Sequence, residues 1–259
     1  MLCHDAFDNL ARYYDRLMAH VDYDRWTTTT SALAGLLPEK CVHVDVACGT
    51  GRLAKMLRRR GWRSFGIDLS PAMLRAGRTD GHVAPCAVAD FRALPFCGRI
   101  DYVTCLFDSI NFLLTPGDVR KAIAEMAGAL SGNGLIYLDA ITELMVIRHF
   151  ADQTWTERNT HFRSTWDNRY DQEHKIAETA IQINNGPPNV LPERVYERAE
   201  LEQAFSDAGL TVLGVFDAQT WAEPGKNTTR LDFVAVRRES KRLRKSFDAI
   251  RRNVCRNLI

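Results

Sequence analysis

One stretch decides the fold of this 259-residue chain: VHVDVACGTG, residues 42–51. Its first six residues are typical of a β-strand, and its last four form a turn rich in glycine. A helical pattern, Arg52 to Leu57, follows at once. The stretch therefore predicts a strand, a turn and a helix, which is the opening unit of an α/β fold.

The same alternation of strands and helices continues along the chain. Helices are predicted to begin near Ser70 and Pro116, and another is predicted at residues 198–208. Further strands are predicted at residues 64–68, 84–89, 100–107, 134–140, 211–216 and 229–236. Strands joined by helical crossovers form parallel sheets. We therefore expect a doubly wound, Rossmann-like, seven-stranded and mostly parallel sheet.

Three segments stand apart from this alternation. Residues 1–40 carry apolar side chains at helical spacing and predict an N-terminal helical lid on the domain at residues 41–236. Within that domain, residues 150–195 contain two runs typical of antiparallel strands, 160–170 and 175–183, which predict a small β insertion over the substrate. Residues 237–259 predict a helical tail with one apolar stripe.

Composition excludes several classes of protein. The chain is 46% hydrophobic and 25% charged, which is typical of a globular protein. Its apolar runs are far shorter than the roughly 20 residues of a membrane span, and its N-terminus lacks a secretory pattern. The seven cysteines form no Cys-x-x-Cys pair, which argues against a metal site or a disulfide framework. We expect a cytoplasmic protein, either a monomer or a homodimer.

The net charge of +2 hides an asymmetry between the body and the tail. From Arg237 onward nine basic residues stand against two acidic ones, so the tail carries +7 and the rest of the chain −5. An acidic body argues against a broad nucleic-acid surface, because phosphate contacts need clustered cations. Only the tail could bind a nucleic acid or another anionic partner.

The glycine turn predicts a site where the backbone approaches a ligand. Gly49 and Gly51 leave room for such an approach, and the following helix offers amide donors. The turn also satisfies the dinucleotide pattern G-x-G-x-x-A through Ala54, and Asp68 follows near the distance of a ribose-binding acid. A nicotinamide-dependent oxidoreductase therefore stays open on the turn alone.

Acidic residues at three successive strand ends help to distinguish a nicotinamide dinucleotide from a cationic amino-acid cofactor. Asp45 would oppose the pyrophosphate of a dinucleotide, but it could pair with an ammonium group, which favours a cationic amino-acid cofactor. Asp90 offers an acceptor to an adenine amino group, and the neighbouring Phe91 offers an apolar face to the ring. Together with Asp68, these residues predict one nucleoside-binding edge of the sheet.

These motifs resemble the class I S-adenosylmethionine-dependent methyltransferases, in their small-molecule branch. The resemblance covers roughly residues 7–236. It rests on VDVACGTG at 44–51, GIDLSPAML at 66–74, ADF at 89–91, FDSINFL at 107–113, and the lid segments 13–15 and 23–26. It implies S-adenosyl-L-methionine as the cofactor and methyl transfer to nitrogen or oxygen of a small-molecule acceptor.

The resemblance also implies the site residues. Those expected to bind the cofactor are Tyr14, Tyr23, Asp45, Ala47, Cys48, Gly49, Thr50, Gly51, Asp68, Leu69, Met73, Asp90, Phe91, Leu106 and Phe107. Those expected to bind the substrate are Asn111, Trp166, Tyr170, Arg194 and Tyr196. Asp108 and His161 are the catalytic candidates, the histidine as a base for an acceptor that must lose a proton.

One departure from the family concerns the base. Relatives often carry a histidine a few residues before Arg-x-Tyr, whereas here residues 189–193 precede Arg194 without one. Chemistry that relies on that histidine is therefore in doubt. A non-catalytic S-adenosylmethionine-binding module that acts through its basic tail is a further alternative at this point.

Overall fold

The structure is a computed structural model that describes residues 3–79 and 84–258. Residues 1 and 2 of the expected lid and residue 259 of the expected tail lie outside the described residues. The helices are α1 (Cys3–Leu17), α2 (Tyr23–Leu33), α3 (Arg52–Arg59), α4 (Pro71–Thr79), α5 (Pro116–Ala129), α6 (Glu143–His149), α7 (Arg198–Asp207) and α8 (Lys241–Leu258). The strands are β1 (Val42–Val46), β2 (Arg63–Asp68), β3 (Cys86–Val88), β4 (Ile100–Cys105), β5 (Leu130–Ile141), β6 (Thr154–Arg158), β7 (Arg163–Asp171), β8 (Ile176–Ile183), β9 (Pro188–Arg194), β10 (Thr211–Asp217) and β11 (Arg230–Val236).

The main sheet has seven strands in the order β10-β11-β5-β4-β1-β2-β3, which confirms the expected fold class. Strands β1 to β5 pair in parallel, and β11 is antiparallel to both β5 and β10. The chain order of the strands reverses at the β1–β4 pair, so a crevice opens there at the carboxyl ends of the strands. The functional site lies in this crevice.

Both faces of the sheet are covered. Val44 and Val46 of β1 point into one apolar layer together with the buried faces of α5 and α7. The opposite layer packs β4, β5 and β11 against α2, α3 and α8. Because β1 is buried on both sides, its polar residues His43 and Asp45 are buried as well.

The insertion after β5 is larger than expected. It is a four-stranded antiparallel sheet in the order β6-β7-β8-β9, whereas the sequence predicts only the two central strands. One face of this sheet packs on α1, where Trp166 and Leu191 contact a cluster that includes Leu10. The insertion and the lid helix therefore share one apolar core.

The tail helix α8 packs on the body of the domain. Phe247 and Val254 are buried against α2 and the loop residue Trp221, at 1% and 4% exposure. The apolar stripe that the sequence predicts is thus covered by this chain itself. In the described part of the chain, no helix combines the length and the apolar character that a membrane span requires.

Candidate functional site

A cavity of about 590 Å³ opens at the carboxyl ends of β1, β2 and β4, beneath α1 and α2. This volume suits a ligand of cofactor size. All the residues predicted to bind the cofactor line it except Thr50 and Gly51, which lie in the same turn. The structure therefore brings the predicted cofactor residues together at one edge of the sheet.

The glycine turn is held in place by Asp68. Gly49 and Gly51 have φ values of 58° and 75°, a region that glycine enters without strain. The Asp68 carboxylate accepts hydrogen bonds from the backbone N–H groups of Gly49 (2.7 Å) and Ser70 (2.8 Å). One side chain thus fixes the turns that follow β1 and β2, and both turns line the cavity.

Asp45 ends a chain of buried hydrogen bonds. The Thr104 hydroxyl donates to Asp45 Oδ1 (2.6 Å), and its oxygen lies 3.0 Å from His43 Nε2. Because the hydroxyl proton is already used, Nε2 carries the imidazole proton and donates it to Thr104. His43 Nδ1 then accepts from the Ser64 hydroxyl at 2.8 Å. The chain fixes the orientation of the Asp45 carboxylate in the cavity wall.

The charge of Asp45 has no protein partner. Burial raises the pKa of this carboxyl to about 7, although the hydrogen bond from Thr104 lowers it, and the charge of Asp68 adds to the increase. Within the described part of the chain, no cation offsets the charge. A ligand with an ammonium group would supply the missing partner, as the sequence predicts.

Asp90 lies in the cavity wall, but its carboxylate is already engaged. Arg92 donates to it through Nε (3.1 Å) and Nη2 (2.7 Å), and also to Asp118 at 3.1 Å. These hydrogen bonds lower the pKa of Asp90, so the group is an ionised acceptor. A ligand amino group at Asp90 would share it with Arg92, a residue that the sequence reasoning did not include.

The lid helix α1 is tied to both turns of the site. The Thr50 hydroxyl donates to Asp15 at 2.7 Å, and Ser70 is hydrogen-bonded to Asp8. These contacts place Tyr14 over the cavity, where Phe7 and Tyr23 also lie in the wall. The lid therefore covers part of the cavity.

A second group of charges lies beside Phe107, at the end of β4. Phe107 and Asp108 both have left-handed backbone conformations, with φ values of 62° and 53°, which cost energy in residues other than glycine. Arg230 donates to Asp108 (3.2 Å) and to the fully buried Asp139 (2.8 Å), and its guanidinium lies 5.8 Å from the Phe107 ring centre. We call Asp108, Asp139 and Arg230 the Arg230 cluster.

The structure places the other predicted residues away from the cavity wall. The predicted substrate residues support the packing of the insertion and its junction with the domain: Asn111, Trp166, Tyr170, Arg194 and Tyr196. Asn111, for example, donates to the Arg194 carbonyl at 2.8 Å. His161 is exposed in the turn between β6 and β7 and does not line the cavity. None of these six residues lines the cavity, and their expected substrate contacts and the catalytic role of His161 stay predictions.

Several site residues escape the sequence reasoning. Phe112 and Pro192 line the cavity, and Arg230 and Thr104 position its acidic groups. Thr104 gives a weak signal as a hydroxyl residue among the buried residues of β4, whose polar groups need hydrogen-bond partners. Arg230 gives no local signal, since its partners lie 91 and 122 residues away in the sequence.

The sheet order bears on the choice of cofactor. The usual dinucleotide-binding sheet has the all-parallel order 3-2-1-4-5-6. Here the antiparallel strand β11 is inserted between β5 and β10. This order and the uncompensated carboxyl of Asp45 argue against a nicotinamide dinucleotide.

Comparison with known proteins also indicates a methyltransferase. Residues 44–134 match the family model described as a methyltransferase domain. YqeM of Bacillus subtilis, a candidate methyltransferase, is 28% identical over 240 residues, which cover 88% of this chain and 96% of YqeM.

Solved structures share the fold. A S-adenosylmethionine-dependent methyltransferase from Clostridium acetobutylicum has a TM-score of 0.76 at 21% identity, covering 89% of this chain and 98% of its own. CalS10, an amino pentose methyltransferase from Micromonospora echinaspora solved with S-adenosylmethionine bound, has a TM-score of 0.67 at 22% identity, covering 87% and 96%.

Proposed function

Because the chain belongs to the class I S-adenosylmethionine-dependent methyltransferases, we propose that its methyl acceptor is a nitrogen or oxygen atom of a small molecule. The observation that carries the proposal is the extent of the cavity. It runs from the carboxyl groups at three strand ends to an aromatic wall formed by the lid and Phe112. The structurally similar CalS10, an amino pentose methyltransferase, supports a small-molecule acceptor.

The residues of the cavity fit the cofactor. Asp45 is a buried carboxyl without a cation partner among the described residues, which suits the ammonium of the methionine part. Asp68 would accept from the ribose hydroxyls, while Asp90 and Phe91 would hold the adenine. When bound, S-adenosylmethionine supplies a methyl group that is already activated on a sulfonium sulfur.

The protein then has to orient the acceptor and exclude water. Leu106 and Phe107 form the floor of the cavity, and Tyr14 and Tyr23 close over it. Burial raises the pKa of Tyr14 well above its ordinary value, so its hydroxyl stays a neutral hydrogen-bond donor. Holding the reactants in line lowers the barrier, because their positioning is already provided by binding.

The test is a calorimetric titration of the full chain with S-adenosylhomocysteine and, separately, with NAD. We expect micromolar binding of S-adenosylhomocysteine and none of NAD. Asp45→Ala should abolish the binding, whereas Asp207→Ala, at the far end of α7, should leave it unchanged. Transfer of labelled methyl from the cofactor to small amines and alcohols then identifies the acceptor. Label transfer only to macromolecules would overturn the proposed acceptor class.

A further inference from the structure

Two cysteines whose sulfur atoms the proposed function does not use meet beside Gly66. A Cβ built on this glycine would lie 2.5 Å from the Cys48 sulfur and 3.2 Å from the Cys86 sulfur. Both sulfurs therefore lie within 3.2 Å of one point, in space that any other residue at position 66 would fill. The missing side chain of Gly66 thus lets the two thiols approach each other.

The backbone holds the two cysteines on either side of β2. Cys86 begins β3 and is the register partner of Gly66 in β2. Cys48 follows β1 in the glycine turn, and its N–H donates to the carbonyl of Ile67, the next residue of β2, at 2.9 Å. Both cysteines are anchored to neighbouring residues of one strand, so their approach is a fixed feature of the fold.

The two cysteines line different depressions of the protein. Cys48 lines the cavity that fits the cofactor. Cys86 is half-buried and lines a separate groove together with Trp62 and Phe65. A small oxidant can therefore reach Cys86 without entering the cofactor cavity.

A hydrogen bond between the thiols gives them different chemical roles. It lowers the pKa of Cys86 to about 7, and the positive charge of Arg78 contributes to the decrease. The same hydrogen bond, together with burial, raises the pKa of Cys48 well above its ordinary value. Near neutral pH, Cys86 is therefore present in part as the nucleophilic thiolate, while Cys48 keeps its proton. An accessible cysteine of low pKa beside a second thiol is typical of sites that oxidise reversibly.

We propose that Cys86 and Cys48 form an oxidation site for hydrogen peroxide, which closes to a disulfide that weakens cofactor binding. The Cys86 thiolate attacks one peroxide oxygen and the O–O bond breaks, which gives a sulfenic acid on Cys86 and a hydroxide that is protonated by solvent. The Cys48 sulfur then attacks the Cys86 sulfur, the S–O bond breaks, and the leaving hydroxide takes the Cys48 proton. Both sulfurs are oxidised, and the peroxide is reduced to water.

The disulfide acts on cofactor binding through the glycine turn. Its sulfurs are bonded at about 2.0 Å, so closing it draws the turn at Cys48 and the strand at Cys86 together. The turn is held by two hydrogen bonds, from the Gly51 N–H to the Cys48 carbonyl (2.9 Å) and from the Gly49 N–H to Asp68 (2.7 Å). Moving Cys48 strains both bonds and displaces backbone that lines the cavity.

The test is treatment of the full chain with hydrogen peroxide, followed by tryptic digestion without reduction. Residues 41–52 should be recovered joined to residues 79–92, with the loss of two hydrogen atoms. Calorimetric titration of the undigested sample should show S-adenosylhomocysteine binding at least about tenfold weaker than in the reduced protein, and dithiothreitol should restore it. Restoration excludes damage to Met73, which lines the cavity, because this thiol does not reverse a methionine sulfoxide.

Variants assign the linkage to one pair of cysteines. Cys86→Ser should form no linkage and should keep its affinity for S-adenosylhomocysteine after peroxide treatment. Cys41 shares the peptide 41–52 but precedes β1, whereas Cys48 follows it, so Cys41→Ser should keep both the linkage and the loss of affinity. Cys97→Ser, a change at an exposed cysteine, should also behave like the wild type.

The outcomes are independent of the acceptor proposed above, because the linkage is measured by mass and the affinity by cofactor binding alone. Absence of the joined peptides in the wild type, or their loss in Cys41→Ser, would overturn the assignment of the site. Unchanged affinity in the linked protein, or an equal loss of affinity in Cys86→Ser, would overturn its effect on the cofactor.

Discussion

The affinity for S-adenosylhomocysteine should depend on pH through Asp45. Burial raises the pKa of this carboxyl to about 7 in the free protein. The ligand ammonium stabilises the ionised form, so binding below that pH requires the loss of one proton. The affinity is therefore expected to rise with pH up to about 7 and to be constant above it.

The magnitude follows from the pKa difference. The interval between the ordinary value of 3.8 and about 7 corresponds to about 4 kcal/mol at about 1.4 kcal/mol per pH unit. If the ammonium restores an ordinary pKa, Kd increases about tenfold for each pH unit below 7. Between about pH 7 and pH 5 the affinity should fall about hundredfold. Asp45→Asn has no proton to lose and should bind weakly without this slope.

Calorimetric titration between about pH 5 and pH 8 measures the slope directly. Cys86 titrates in the same range, because a hydrogen bond with Cys48 lowers its pKa to about 7. Cys86→Ser should keep the wild-type slope and thereby exclude this thiol. The reasoning is refuted if the wild-type affinity is independent of pH, or if Asp45→Asn keeps the wild-type slope.

Four further substitutions test the framework around the site, each by following the free energy of unfolding. Gly77→Ala should destabilise the fold by several kcal/mol and abolish cofactor binding, because its Cβ would lie 1.9 Å from the Thr50 carbonyl oxygen. Gly128→Ala, which meets nothing within 4 Å, should instead stabilise by about 0.5–1 kcal/mol. Phe247→Ala should cost about 3–5 kcal/mol, because this side chain of the tail helix is 1% exposed; a loss below 1 kcal/mol would mean that the tail is not docked. Burial lowers the pKa of His43 to about 3, so its contribution to stability is lost as pH falls below about 6.5. The difference between wild type and His43→Gln should therefore change by about 1.4 kcal/mol per pH unit below that value, and a constant difference would contradict a neutral buried imidazole.

The cofactor half of the site could be predicted from sequence because its signals are local. The glycine turn and the acids Asp45, Asp68 and Asp90 each follow a recognisable strand. In a parallel sheet the carboxyl ends of neighbouring strands meet at one edge, so topology alone brings these residues together. No knowledge of side-chain packing is needed for that step.

The number of strands in the insertion and the packing of its side chains could not be predicted from the sequence. Its edge strand β9 contains Pro188 and Pro192, and proline within a run argues against a strand unless that strand lies at an edge. The aromatic residues of the insertion indicate that their side chains are buried, but the sequence does not show which residues they pack against. The structure shows Trp166 packed toward α1 instead of in the cavity wall.

The acceptor side depends on contacts between distant segments. Asp108 meets Arg230 across 122 residues, and Asp139 joins them from β5. Asp108 lies in the segment FDSINFL that carries the resemblance, whereas nothing local to Arg230 in the sequence indicates its partners. The predicted cofactor residues thus lie in local motifs, whereas the Arg230 cluster forms only where the ends of β4, β5 and β11 meet.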